Sequence, residues 1–301
     1  MIKTIKITNH LKESIELELT RPDKSGIYIQ EITGLGPPTA HINTTEVATN
    51  DGSIFNSSRV TTRNIVLTLG FLFKPDIETV RQLSYKYFPI KKQVKLKITT
   101  DNRVGEVYGY VESNEPNIFS ERQTTQISLI CPDPFIYAEG TNTTIFSGVE
   151  SAFEFPFSNE SLTEDLIIMG NMTTGTTKSI FYSGDSEIGV TIHIYASGLV
   201  SNITIYDPIT NRKMEIDVDR IQAITGSPII EGDEITISSV RGNKYITLTR
   251  VGVEYNILNS LNRDVYWFQL FKGPNIFSYY AESGLSNINF IIENKTIYEG
   301  V

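Results

Sequence analysis

Three histidines, a run of alternating acids, a glycine pair and a single tryptophan are the residues of this chain whose types could do chemistry. His10, His41 and His193 lie far apart, and none has a cysteine or second histidine at the spacing a tetrahedral metal site uses. His193, in Thr191-Ile192-His193-Ile194-Tyr195, reads as a strand residue. Glu215, Asp217 and Asp219 alternate with Ile216 and Val218, so on a strand the acids share one face, which a solvated surface explains more simply than a cation site. A glycoside hydrolase needs two carboxylates at a fixed separation, and no pair stands out. Gly34-Leu35-Gly36 runs into Pro37-Pro38 instead of a helix whose N-terminus could hold an anion, so it reads as a turn. Trp267, in Tyr266-Trp267-Phe268-Gln269-Leu270, reads as core packing ahead of sugar stacking. Cys131 has no partner for an intrachain disulfide and sits in an apolar run, where a thiol behaves as a small hydrophobe. No catalytic, cofactor-binding or metal-binding residue is assigned, and the expectation is a chain that is not an enzyme.

The elements that would position such residues are mostly strands. Alternation and β-branched or aromatic enrichment predict strands over 15–19, 27–32, 65–73, 94–99, 106–111 and 124–130, after a first strand in Met1-Ile2-Lys3-Thr4-Ile5-Lys6-Ile7-Thr8. One helix is expected over 75–87. Pro75 would stand at its first position, Asp76 and Glu78 in its first turn, and Ile77, Val80, Leu83 and Tyr87 on one face. Phe88-Pro89 would end it, because a residue before proline avoids the helical region. Between Thr33 and Thr62 a Thr/Asn-rich stretch and an Asp51-Gly52 turn signal predict a long two-stranded arm that needs a neighbour to lie on. Cys131-Pro132-Asp133-Pro134-Phe135 fixes an extended backbone and removes two ladder donors, marking the exit from a first domain. Beyond it, short strands at 190–195, 203–206, 215–218, 234–238, 245–250, 266–270 and 287–292 recur at sandwich-like intervals, with no helix among them.

At 301 residues the chain fits two domains better than one core. With 40% apolar and 20% charged residues it reads as globular and soluble, and no stretch approaches the ~18 apolar residues of a membrane span. The alternating N-terminus does not resemble a secretory signal. Lys and Arg total 26 against 35 Asp and Glu, a net charge of −9, which argues against stable nucleic-acid binding because phosphate contacts need clustered cations.

Taken in order, several of these segments resemble the distal tail (Dit) proteins of long-tailed bacteriophages and related tail-tip and baseplate components. In the first half the likeness rests on Ile32-Thr33-Gly34-Leu35-Gly36-Pro37-Pro38, Asp51-Gly52, Arg63-Asn64-Ile65, the helix before Phe88 and the Cys131-to-Phe135 run. In the second it rests on Gly232-Asp233-Glu234-Ile235-Thr236-Ile237, Gly242-Asn243-Lys244 and Trp267-Phe268-Gln269-Leu270-Phe271-Lys272-Gly273-Pro274-Asn275. The resemblance implies a mainly β chain: a tail-tube-like, ring-forming β-sandwich over 1–137 with one helix and the long arm, then a galectin-like β-sandwich over 138–301. The segment 297–301 is left free to return to the first domain. It further implies a homo-hexameric ring in the virion, joining the tail tube protein to the tail-tip hub or tail-associated protein and to receptor-binding proteins, with DNA passing through its lumen and assembly in the bacterial host cytoplasm. The alternative is a carbohydrate-binding adhesin whose C-terminal sandwich contacts the host cell wall through Trp267 or exposed tyrosines such as Tyr279 and Tyr280. Neither reading calls for a cofactor.

Overall fold

A computed structural model describes residues 1–46, 48, 51–72, 76–120, 122–151 and 170–301. The chain gathers into two compact units, one of Met1–Glu139 with Ile297–Val301 and one of Gly140–Thr296. Strands dominate both, as the sequence predicts.

The first unit contains β1 (Ile2–Thr8), β2 (Ser14–Glu18), β3 (Ile27–Thr33), β4 (Ala40–Glu46), β5 (Ser53–Val60), β6 (Arg63–Phe71), α1 (Ile77–Tyr87), β7 (Gln93–Thr100), β8 (Val104–Asn117), β9 (Thr124–Cys131) and β10 (Ile136–Ala138). Its main sheet runs β2-β1-β7-β8-β9-β6-β3, and every adjacent pair is antiparallel. Period-two alternation gives each strand one buried face: Ile5 and Ile7, Ile65, Leu67 and Leu69, Leu96 and Ile98, Ile127 and Leu129 are all sealed from solvent. Each fully buried Leu or Ile stabilises the unit by about 1.5–3 kcal/mol relative to exposure. Val80 and Phe88 join the same core, with Ile77, Leu83 and Tyr87 packed partly against it, so α1 presents the apolar face that its spacing predicts. Its start differs from expectation. Asp76 is the N-cap, its side chain accepting from the Thr79 N–H at 2.8 Å, and Pro75 lies outside the described residues.

β8 runs to Asn117, well past the predicted 106–111, although its second half is polar and includes Pro116. The ladder to β9 continues from Ser113↔Ser128 to Asn117↔Thr124, while pairing with β7 ends at Tyr110. Residue 116 therefore has a strand on one side only, where a missing N–H costs no ladder bond. Just past Pro132 and Pro134, and before the first unit's long stretch ends at Glu139, β10 pairs with β8 through Tyr137↔Glu106. β24 (Ile297–Tyr298), the last strand, then pairs with β10.

The second unit contains β11 (Asn142–Ser151), β12 (Gly170–Thr174), β13 (Thr177–Tyr182), β14 (Ile188–Gly189), β15 (Thr191–Ala196), β16 (Ser201–Tyr206), β17 (Lys213–Ile216), α2 (Val218–Thr225), β18 (Glu234–Ser238), β19 (Tyr245–Arg250), β20 (Val253–Asn256), β21 (Gln269–Leu270), β22 (Gly273–Ser283) and β23 (Ile288–Asn294). A seven-stranded sheet, β12-β11-β23-β15-β18-β19-β20, faces a four-stranded one, β13-β22-β16-β17. Aromatic packing joins them: the Tyr279 ring on β22 stacks on Phe290 of β23 at 4.5 Å, and Phe146 of β11 meets Phe290 edge-on at 5.2 Å.

α2 corrects the expectation of a helix-free second half. Its signals were present, since Asp217 caps the N-terminus by accepting from the Asp219 and Arg220 N–H groups and Gly226 closes it at φ 83°. The alternation from Glu215 to Asp219 masked them by imitating a strand.

Candidate assembly surface

The arm is the most exposed element of the first unit. β4 and β5 pair only with each other, and every residue of both strands is exposed. Across the ribbon Ala40 faces Val60, Ile42 faces Ser58 and Thr44 faces Phe55, so these six side chains share one face. The other face carries His41 with Arg59, Asn43 with Ser57, and Thr45 with Ile54. A register shift between Asn43 and Thr44 makes the difference. It leaves Asn56 as the extra residue and sets Phe55 opposite Thr44, on the side of Ile42 and Val60. Ile42 and Phe55 are 60% and 61% exposed, so the ribbon offers an apolar stripe backed by a side that is polar apart from Ile54. The predicted turn residues Asp51 and Gly52 are described, with Gly52 at φ 88°, while Asn50 lies outside the described residues.

At the foot of the arm sits a residue the sequence reading did not single out as functional. Arg63 occupies the first inward position of β6, in line with Ile65, Leu67 and Leu69, and is 3% exposed. Its guanidinium donates four hydrogen bonds to backbone carbonyls of three separate segments. Nε reaches Pro134 O at 2.6 Å, Nη1 reaches Gly34 O and Gly36 O at 2.6 Å each, and Nη2 reaches Glu299 O at 2.7 Å. No carboxylate joins the set, and burial lowers the guanidinium's pKa. Arg63 thus ties the glycine turn, the proline run and the returning segment into one knot. Arg103 adds a second fastening, donating to Gly300 O at 3.0 Å and lying over the Tyr298 ring at 4.5 Å, while the Val301 N–H donates to Leu35 O at 3.2 Å. Gly34 must be glycine here: its φ is 84°, and a Cβ would meet Asn64 O at 2.0 Å. An arginine at an inward register of an otherwise apolar strand was the signal in the sequence.

The other singled-out residues do not converge. His193 lies on β15, with Nδ1 3.1 Å from Glu234 Oε1 on β18 and Nε2 4.0 Å from Glu293 Oε2 on β23, and no group able to hold a metal is found among the described residues. Glu215 remains on β17, whereas Asp217 and Asp219 belong to the start of α2, so the three acids do not share a strand face. Trp267 lies outside the strands and half-buried with Lys244 Nζ 5.5 Å over its ring, and Phe268 fills the core in its place. Tyr279 is a core residue, 3% exposed, whose hydroxyl donates to Ser147 Oγ at 2.6 Å, so of these two tyrosines it is Tyr280 that is open to a ligand. Cys131 is buried under Gly109, and burial pushes its thiol pKa up to about 11. The second unit holds its own buried pair: Arg250 Nε donates to Asp233 Oδ1 at 2.7 Å and Nη2 to Oδ2 at 2.5 Å.

No protein-family profile matches the chain, and no curated protein sequence matches it. Solved structures do. The SPP1 Dit protein, described as a paradigm of the hub adsorption apparatus in phages infecting Gram-positive hosts, superposes with a TM-score of 0.64 at 12% identity, covering 98% of this chain and 99% of its own. Chains of the phage P2 baseplate in its activated conformation match with TM-scores of 0.48 with Ca and 0.45 with Sr, at 12% and 11% identity, covering 98% and 97% of this chain and 99% and 98% of theirs. The fold, mainly β and multi-sheeted with two helices among the described residues, is that of the SPP1 Dit chain from end to end.

Proposed function

We propose that this chain is a structural protein of a bacteriophage tail tip, acting as a hub that assembles with copies of itself and with other tail components. The fold shared along its whole length with SPP1 Dit makes this the natural class, and the observation that carries it to assembly is the arm. An isolated two-stranded ribbon is marginal in water, so an apolar stripe of Ile42, Phe55 and Val60 on such a ribbon needs a surface to cover it. A neighbouring subunit supplies that surface in a closed ring.

On this reading the first unit builds a homo-hexameric ring, and the second forms the outer sandwich. The ring joins the tail tube to the tail-tip hub and the receptor-binding apparatus, and DNA passes through its lumen. The protein then resides at the distal end of the tail, after assembly in the host cytoplasm, and carries no catalytic, cofactor or metal site. A net charge of −9 per copy favours a neutral or acidic channel wall, which repels passing DNA instead of holding it. Permanent ring interfaces bury more than about 2,000 Å² in total and are largely apolar.

Native mass spectrometry and electron microscopy of the purified chain test the reading. The expected result is a ring, or ready assembly with tail tube and hub proteins, and its loss on replacing Ile42 and Phe55 with aspartate while the melting temperature holds. A strict monomer that also fails to join either partner overturns it.

A further inference from the structure

The four-stranded sheet of the second unit carries two adjoining hollows on its outer side. The larger, about 450 Å³, is lined by Lys213, Glu215, Arg220, Asn262, Arg263 and Asp264, with Val265. The smaller, about 210 Å³, lies among Asn202, Thr204, Asp217 and Glu282, and Glu215 and Asn262 wall both. The larger one has a simple backbone origin. Along edge strand β17 the Asn262 N–H donates to Glu215 O at 3.4 Å and the Tyr266 N–H to Lys213 O at 3.0 Å. Three residues, Arg263 to Val265, thus span a stretch where the strand has one, and the surplus bows outward.

The polar groups in this groove are held in place. Lys213 donates to Glu215 at 2.5 Å and Asn262 donates to the same carboxylate, whose pKa the lysine in particular lowers. Arg220 is engaged by Asp217 at 3.2 Å and by Leu261 O at 3.1 Å, and Asn202 donates to Glu282 at 2.9 Å. Thr204, Asn262 and Arg263 bring a hydroxyl, an amide and a guanidinium to the lining of the hollows. Register places Tyr280, Thr204 and Glu215 side by side across β22, β16 and β17, with Asn262 next in the row. At the usual strand spacing the row is about 14 Å long. Tyr280, half exposed, ends it with a flat apolar ring.

The chemistry of the row selects its ligand. Three cations stand against four carboxylates, and Lys213 and Arg220 are already paired, so the groove has no positive field to retain a phosphate or carboxylate polymer. Fixed carboxylate, amide, hydroxyl and guanidinium groups beside an aromatic face suit a ligand with many hydroxyls, each both donor and acceptor, and an apolar C–H side. We propose that this groove binds a neutral oligosaccharide, laid along Tyr280, Thr204, Glu215 and Asn262. The site goes beyond the assembly reading, does not depend on it, and is distinct from the surroundings of Trp267.

The test uses the full chain on an array of neutral glucose, galactose and N-acetylhexosamine oligosaccharides, followed by calorimetric titration of the best-retained one at low and high salt. The expected result is salt-insensitive binding, weakened about tenfold or more by Asn262→Ala, Thr204→Val and Tyr280→Ala, each at unchanged melting temperature, and unaffected by Trp267→Ala. Three variants keep the test decisive if one of them folds poorly. Retention of no neutral oligosaccharide overturns the proposal. So does binding that survives all three changes, binding lost with Trp267→Ala instead, or salt-sensitive preference for a phosphorylated polymer.

Discussion

Replacing Arg63 with methionine should unfasten the first unit while leaving the second standing. Methionine keeps most of the side-chain volume and removes all four donors to Gly34, Gly36, Pro134 and Glu299. The four bonds are part-buried, so each carbonyl left without its donor costs at most on the order of 1 kcal/mol, and four cost up to about 4 kcal/mol. The change also removes a buried cation with no carboxylate beside it, which returns part of its desolvation cost, so the net loss is about 2–3 kcal/mol. For a unit of this size that lowers the melting temperature by roughly 10 °C. Trp267, the only tryptophan, lies in the second unit, so its fluorescence follows that unit, while amide exchange in β10, β24 and the turn at Gly34 follows the first. The expected outcome is faster exchange in those three segments at an unchanged Trp267 transition. Arg63→Lys should recover only part of the loss, because an ammonium cannot span carbonyls arranged for a planar fork. Native-like exchange at β24 and the Gly34 turn in Arg63→Met would refute the claim that one side chain holds the knot.

Asp233→Asn breaks the buried bidentate pair with Arg250 and should destabilise the second unit by about 3 kcal/mol, read as a lower Trp267 unfolding midpoint at constant m-value. Gly34→Ala should cost at least about 2 kcal/mol in the first unit, since its φ and the 2.0 Å approach to Asn64 O both oppose a side chain; an unchanged midpoint by calorimetry would contradict the turn geometry. Cys131 should resist a thiol-reactive disulfide reagent in the native protein near neutral pH and react once denaturant is added. Its pKa is raised from 9.0 to about 11, so the unfolded chain releases the proton first and stability falls as pH rises from 9.0 through about 11. Cys131→Ala should lose less stability than the native chain across that window.

Much of the fold was legible because its rules are local. Period-two burial placed β1, β6, β7 and β9 within a few residues, and the apolar spacing of Val80, Leu83 and Tyr87 identified α1. Reading failed where two local codes competed or partners were distant. Glu215 to Asp219 alternates like a strand yet carries an Asp cap and a Gly stop, and contact of Val218 and Ile221 with the core settled it as a helix. Tyr279 and Tyr280 are neighbours of one type on one strand, and only the opposing sheet decides that the first is core and the second surface.

The sequence by itself determined that this is a mainly β chain with an exposed arm, a net negative charge and no recognisable catalytic constellation, because composition and periodicity are properties of neighbours along the chain. The tertiary structure decided which face of the arm is apolar, since a single extra residue at Asn56 sets Phe55 beside Ile42. It also decided that Arg63 binds carbonyls from positions as far apart as 34 and 299, and that Glu215 and Asn262 share a groove. These depend on strand register and loop closure, which join residues remote in sequence and leave no periodic trace in it.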